Sequence, residues 1–326
     1  MTLAKVQHYV PQFLLRNFGN GKKDQLWVYD KATGRSFLTN AKNIASESRF
    51  YDFELDGEAV TLEPMLSQLE GDAKPIFDRI LEADSLAPLD DEDKAMVAIF
   101  LSVQLTRTRA FREQWSDFPR IIREAFAGKG EIVATDSQAA ELMRDLTANE
   151  SKAETGRVMI QAPRDFAPHL LSKQWVLAAT TRKHPFLISD NPLTLQNMTD
   201  MSPRGNLGLA VRGIEIYFPL SPLRALAMWC PSLVDIVREG AEAVRPSPKG
   251  LAAELLNDNE GLLALDVAIY TGRPVAYKKE NVENFNALQI SRSERYVFSS
   301  VNDFHLAKDM LQSHPNLRQG PRATVA

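Results

Sequence analysis

The stretch QWVLAATTRKHPFLISDNP, residues 174–192, decides how the rest of the chain is read. QWVLAATT is apolar enough for a strand, RKHP supplies a turn, and FLIS returns as a second strand. DNP ends it, because Asp and Asn bond their own backbone at turns and Pro192 cannot donate to a ladder. Two strands across so short a turn run antiparallel, so ATTRKHPFLIS argues against a doubly wound parallel sheet. Further strands are expected at GIEIYFPL (213–220), RALAMW (224–229) and RYVFSS (295–300).

Toward the N-terminus, LWVYDKATGRSFLT alternates apolar and polar residues around a glycine turn, which predicts a β-hairpin over about 26–38. A helix is expected at 61–83, begun by Thr61 and kinked or divided at Pro75. LDDEDKAMVAIFLSVQLTRTRAFREQW, residues 89–115, predicts a continuous helix, with acids in its first turn and arginines toward its end, matching the macrodipole. Other helices are expected at 137–149 and near 232–239, 249–269 and 280–292. Strands at both ends of the chain around a helical block over about 61–172 give an α+β fold, with a mixed or antiparallel sheet. Residues 1–311 read as one domain, with a β-rich part over about 174–300, and the tail 312–326 reads as disordered.

At 326 residues the chain is long enough to bury a core without staples, and its 44% hydrophobic and 25% charged content is ordinary for a globular protein. A net charge of −4 excludes a generally basic nucleic-acid coat. The single cysteine, Cys230, excludes an internal disulfide and fits a reducing compartment. No signal peptide or membrane span is evident, so a cytoplasmic protein is expected. Charge is uneven: residues 52–95 carry fourteen Asp or Glu, whereas 104–129 are rich in arginine, which reads as docking helix faces or as the two walls of a polar cleft.

Phosphate loops, GxGxxG, HExxH, GxSxG and CxxC are all absent, so the candidate residues are polar ones in apolar settings. Arg107 shares a helix face with Met96, Phe100, Val103 and Phe111, and Gln104 lies one turn earlier; a buried arginine there requires a carboxylate or a ligand anion. Glu63 and Glu70, seven residues apart, share one side of their helix, where they suit a divalent cation or answer Arg107. Ser189, Asp190 and Asn191 close the FLIS strand either as an Asx-turn or as ligand contacts. In QHYVPQFLLRNFG (7–19), Pro11 opens and Gly19 stops a short buried helix; His8 precedes it and Arg16 lies within it, both expected near Arg107 and Asp190.

HYVPQFLLRNF, FYDF, QLTRTR, FLISDNP, PLSP and NALQISRSERYVFSS occur in the order seen in the bacterial domain-of-unknown-function family 4238, which this chain resembles over about residues 5–300. The resemblance implies that His8, Pro11, Arg16, Glu63, Arg107, Ser189, Asp190, Asn191 and Asn286 stand at the family's motif positions. It implies no reaction.

Three functional readings follow. The first is a metal-assisted hydrolase, a nuclease or nucleotide hydrolase acting on a phosphate-bearing small molecule or nucleic acid. There Glu63, Glu70 and Asp190 hold Mg or Mn, His8, Asp190 and Arg107 do the chemistry, and Arg16, Gln104, Ser189, Asn191 and Asn286 bind substrate. The second is a non-catalytic sensor of an anion or nucleotide. The third makes the same residues a buried structural network.

Overall fold

The computed structural model describes residues 5–128, 137–199, 207–244 and 259–322. The chain opens with β1 (Val6–His8) and the short α1 (Gln12–Asn17), followed by the hairpin β2 (Gln25–Asp30) and β3 (Arg35–Asn40). β4 (Ser46–Ser48), β5 (Asp52–Leu55) and β6 (Glu58–Thr61) lead into the helical block of α2 (Glu63–Ala83), α3 (Asp91–Thr106), α4 (Arg109–Gly128), α5 (Gln138–Leu142) and α6 (Ala148–Leu171). After it come β7 (Gln174–Ala179), β8 (Ile188–Ser189), β9 (Thr194–Asn197), β10 (Ile214–Ser221) and β11 (Arg224–Trp229). The C-terminal part holds α7 (Pro231–Val244), α8 (Asn259–Thr271), β12 (Val275–Ala276), α9 (Lys279–Arg292), β13 (Tyr296–Ser299) and α10 (His305–Ser313).

The fold is α+β. One sheet has the order β12-β7-β11-β10-β9 and another β3-β2-β13-β8, with two-stranded pairs β1-β4 and β5-β6. The five-stranded sheet is antiparallel except where β12 runs parallel to β7, so it is mixed. Its strands alternate strictly. Ile214, Ile216 and Phe218 of β10 enter the main core with α1, α2, α3 and α6, while Tyr217 faces the second cluster under α7, α8 and α9. The four-stranded sheet joins the two ends of the chain: β2 pairs antiparallel with β13, Val28 standing opposite Phe298.

The hairpin expected within ATTRKHPFLIS does not form. Residues 174–179 pair along their whole length with RALAMW of β11, whereas Ile188 and Ser189 pair with β13 in the other sheet. Between them the chain flanks the turn after β10, Thr180 and Phe186 donating their N–H groups to the carbonyls of Leu223 and Pro222. The antiparallel inference stands, but with partners distant in sequence.

The helix expected at 89–115 is two helices. α3 starts on a capping box between Asp90 and Asp93 and stops at Arg107, and α4 begins at Arg109. The segment expected at 137–149 divides into α5 and the start of α6, which opens on a second capping box, Thr147 with Glu150, and runs through Pro163 and Pro168. Part of the helix expected at 249–269 lies outside the described residues, and α8 covers the remainder. The region from 312 holds the end of α10 and a 3-10 turn over Pro315–Arg318, and Arg322 pairs with Glu294.

Within α6, Gly156 lets the helix close on β5 and the entry to α2. A Cβ there would stand 2.9 Å from the Phe53 ring and 3.4 Å from Leu62, the residue before Glu63. No helix among the described residues is long and apolar enough to cross a membrane.

Phe298 is fully buried at the seam between β2 and β8, whereas Phe37, on the outer strand β3, is 39% exposed. Phe298→Ala is expected to lower unfolding free energy by about 3 to 4 kcal/mol, and Phe37→Ala to change it by less than about 1 kcal/mol, in urea titrations followed by circular dichroism.

Candidate functional site

The ten residues singled out by sequence fall into two neighbouring clusters. The first surrounds Arg107, only 2% exposed at the C-terminal end of α3. Its Nη2 donates to the His8 carbonyl at 2.7 Å and pairs with Glu70 Oε1 at 2.8 Å, and its Nε donates to the Tyr51 hydroxyl at 3.2 Å. One turn earlier, Gln104 Nε2 donates to the Tyr9 carbonyl at 3.0 Å. Consecutive carbonyls of the chain leaving β1 are thus held by two side chains of α3.

Glu63 opens α2 two turns before Glu70 on the same side of the helix, as the seven-residue spacing requires. Burial pushes its carboxyl above the usual range, opposed first by the Arg107 charge. His8 is half-buried at the end of β1. Its Nε2 lies 3.2 Å from the Lys42 carbonyl and its Nδ1 3.4 Å from Gln12 Nε2, and Gln12 in turn accepts from Arg16 Nη2 at 2.9 Å. Burial lowers the His8 pKa below 6.5, with Lys42 and Glu70 acting the other way, so the imidazole is neutral at pH 7. Three buried atoms of this cluster have no hydrogen-bond partner: Arg107 Nη1, Glu63 Oε2 and Gln104 Oε1. Buried polar atoms are ordinarily satisfied, so an unpaired donor on Arg107 and unpaired acceptors on Glu63 and Gln104 call for an explanation.

Beside His8 lies a cationic depression of about 450 Å³, lined by Arg16, Lys23, Asp24, Asn40, Ala41 and Lys42. Arg16 is 3.5 Å from Asp24, and both are half exposed. The ion pair is therefore weak, and positive charge prevails at its surface.

The second cluster is a clamp. Asp190, 1% exposed, accepts N–H bonds from Glu294 at 2.7 Å on Oδ1 and from Arg295 and Tyr296 at 2.7 and 2.8 Å on Oδ2. Burial pushes its carboxyl up to about 6 against those three donors and the nearby Lys31. Ser189 Oγ donates to Gln289 Oε1 at 2.9 Å, and Asn191 Nδ2 to the Arg292 carbonyl at 3.0 Å. Asn286 receives the Leu187 N–H and donates to the Pro185 carbonyl. A contact of 3.3 Å between Thr108 Oγ1 and Asn191 Oδ1 links the clamp to the residue after Arg107.

The three carboxylates expected to share a cation do not meet. Glu70 is committed to Arg107 and Asp190 is saturated by backbone donors, and among the described residues no group of three His, Cys, Asp or Glu could hold a metal. The helical spacing placed Glu63 and Glu70 together but said nothing about what stands opposite them. Of the two roles left open for that pair, Glu70 takes the one that answers Arg107.

Sequence reading missed Tyr51, whose ring and hydroxyl back Arg107, and Lys31, a fully buried lysine that donates to the carbonyls of Ile290 and Ser293. Tyr51 carried a usable signal in FYDF. Lys31 carried none, because a lysine beside a hairpin turn is ordinarily exposed.

A family profile described as "Protein of unknown function (DUF4238)" matches residues 6–303. The chain belongs to this family. The match runs from β1 through the clamp to the residues after β13, and the family's description carries no activity. No curated protein and no solved structure matches the chain.

In Asp190→Asn the new amide turns two donors toward at least one backbone donor that needs an acceptor. The variant is expected to lose about 3 kcal/mol of stability, with faster hydrogen exchange at the amides of 294–296. Wild-type exchange there would show that the clamp is not rate-determining for opening.

Proposed function

We propose that the chain binds a small phosphate-bearing molecule, a nucleotide being the best fit, at the Arg107 corner and the depression beside it. The observation that carries this is the buried guanidinium of Arg107 with Nη1 unpaired, together with the unpaired acceptors Glu63 Oε2 and Gln104 Oε1 of the same cluster. Glu70 already balances Arg107, so the corner favours a neutral polar group that both accepts and donates, such as a sugar hydroxyl or the edge of a base. The phosphate then belongs with Arg16, Lys23 and Lys42 in the depression. Cys230, buried and free, is consistent with work in a reducing compartment.

Hydrolysis of such a ligand is a second reading, and His8 favours it. A neutral, half-buried imidazole close to Glu70 and to the depression would take a proton from an attacking water on Nδ1, displacing the 3.4 Å contact from Gln12 Nε2. The three-carboxylate metal site is no part of this reading.

Calorimetric titration with a set of nucleotides is expected to give binding that weakens at least tenfold in Arg16→Ala/Lys42→Ala and falls with added salt. Binding indifferent to both changes would refute the reading, as would no binding by any nucleotide. If turnover is found, His8→Gln is expected to lower kcat by about 100-fold or more. Because the base must be neutral, kcat/KM should fall as pH drops through the lowered His8 pKa, with its acid limb below 6.5. A limb above that value would assign the base elsewhere.

A further inference from the structure

The opposite face of the five-stranded sheet carries a second polar feature, independent of the Arg107 corner. Between the sheet, α8 and the start of α9 lies a cleft of about 440 Å³, whose lining includes Glu215, Tyr217, Trp229, Leu265 and Tyr277. The register explains why these groups meet. Glu215 of β10 stands directly opposite Gln196 of β9 and Trp229 of β11, and Tyr217 follows two residues along on the same face. That face otherwise buries small and branched residues, among them Val176, Ala178, Ala225 and Ala227. A carboxylate in such a row is not explained by packing.

Two observations point to a ligand. The partner of the Glu215 carboxylate is the Tyr217 hydroxyl, a neutral donor, so no ion pair among the described residues offsets its charge. Trp229 is only 9% exposed, and its indole N–H has no acceptor in hydrogen-bond geometry, although the Tyr217 hydroxyl lies nearby. Burial, with Tyr277 and Glu215 close by, raises the Tyr217 pKa far above its ordinary value, so Tyr217 remains a neutral donor. The cleft therefore presents a carboxylate, three aromatic rings and an indole N–H held only loosely by the Tyr217 hydroxyl. Aromatic faces with a carboxylate attract organic cations, and an indole N–H attracts an oxygen acceptor.

We propose that this cleft binds a small organic cation, an ammonium group carried on the same molecule as an accepting oxygen. The ammonium lies against the Tyr217, Trp229 and Tyr277 rings beside Glu215, and the oxygen accepts from Trp229 Nε1.

Choline, tetramethylammonium and dimethylbutanol, the uncharged isostere of choline, test this by calorimetric titration against the full chain. Choline is expected to bind, with dimethylbutanol at least tenfold weaker. Glu215→Gln is expected to weaken choline about tenfold with far-UV circular dichroism unchanged. Trp229→Phe keeps a ring but removes the donor, so it should weaken choline severalfold and leave tetramethylammonium unaffected. Should Glu215→Gln fail to fold, the contrast between the two cations in Trp229→Phe carries the decision. Wild-type protein that binds neither cation, or dimethylbutanol as tightly as choline, overturns the proposal. A folded Glu215→Gln that binds choline like wild type does the same.

Discussion

A single carboxylate, Asp190, holds three successive backbone N–H groups at the turn between α9 and β13. Those donors belong to the end of the chain, whereas Asp190 leaves β8 a hundred residues earlier, so the clamp fixes where the last strand begins. β13 then offers one edge to β8 and the other to β2, closing the N-terminal hairpin onto the C-terminal half. The same turn is held from the other side. Asp30 takes a two-pronged pair from Arg295, and the Lys31 ammonium caps the carbonyls of Ile290 and Ser293 at the C-terminal end of α9, where the helix dipole favours a cation. Removing one member of such a network leaves another buried group unpaired, so its residues act together.

The Arg107 corner is built by the same means, charged side chains gripping backbone. It depends on the break between α3 and α4. Had the helix run on, Arg107 would have been one residue of a stripe; as the C-cap of α3 it reaches the His8 carbonyl, Glu70 and Tyr51 together. Tyr51 is itself fixed by Gln7, fully buried, whose Oε1 accepts the Tyr51 N–H at 2.6 Å. The approach of α6 at Gly156 sets the entry to α2 and hence Glu63. The polar corner thus rests on β1, α2, α3 and α6, elements from both ends of the helical block.

What the sequence made legible follows from the range of the forces involved. The hairpin at β2 and β3, the strand RALAMW and the helix α9 are set by local alternation, turn residues and caps, and they fall where local patterns put them. Arg107 and Glu70 were also legible, because a buried charge demands a partner and the acidic helix offered one. The hairpin in ATTRKHPFLIS failed because strand partners are chosen by the whole core: β7 finds six matched positions on β11, and its neighbour in sequence offers none. The three-carboxylate site failed for a related reason. Spacing along a helix fixes which residues share a face, but whether that face meets a metal, an arginine or solvent is decided by chain far away. Asp190, read as a turn cap or a ligand contact, is a cap, though for a turn a hundred residues on.

Strand β10 binds the two polar regions into one design problem. Its even-numbered residues Ile214, Ile216 and Phe218 pack toward the core that supports the Arg107 corner, and its odd-numbered Glu215 and Tyr217 face the cleft under α8 and α9. The Leu220 carbonyl near its end accepts from Asn17 of α1, the helix that carries Gln12 and Arg16. A slip of one residue in this strand would exchange its faces, burying Glu215 in the main core and turning Ile216 and Phe218 into the cleft. The pairing of β10 with β9, and with β11 from Glu215 to the irregularity after Pro219, forbids that slip. The register that packs the core therefore also sets Glu215 opposite Trp229 and α1 beside His8.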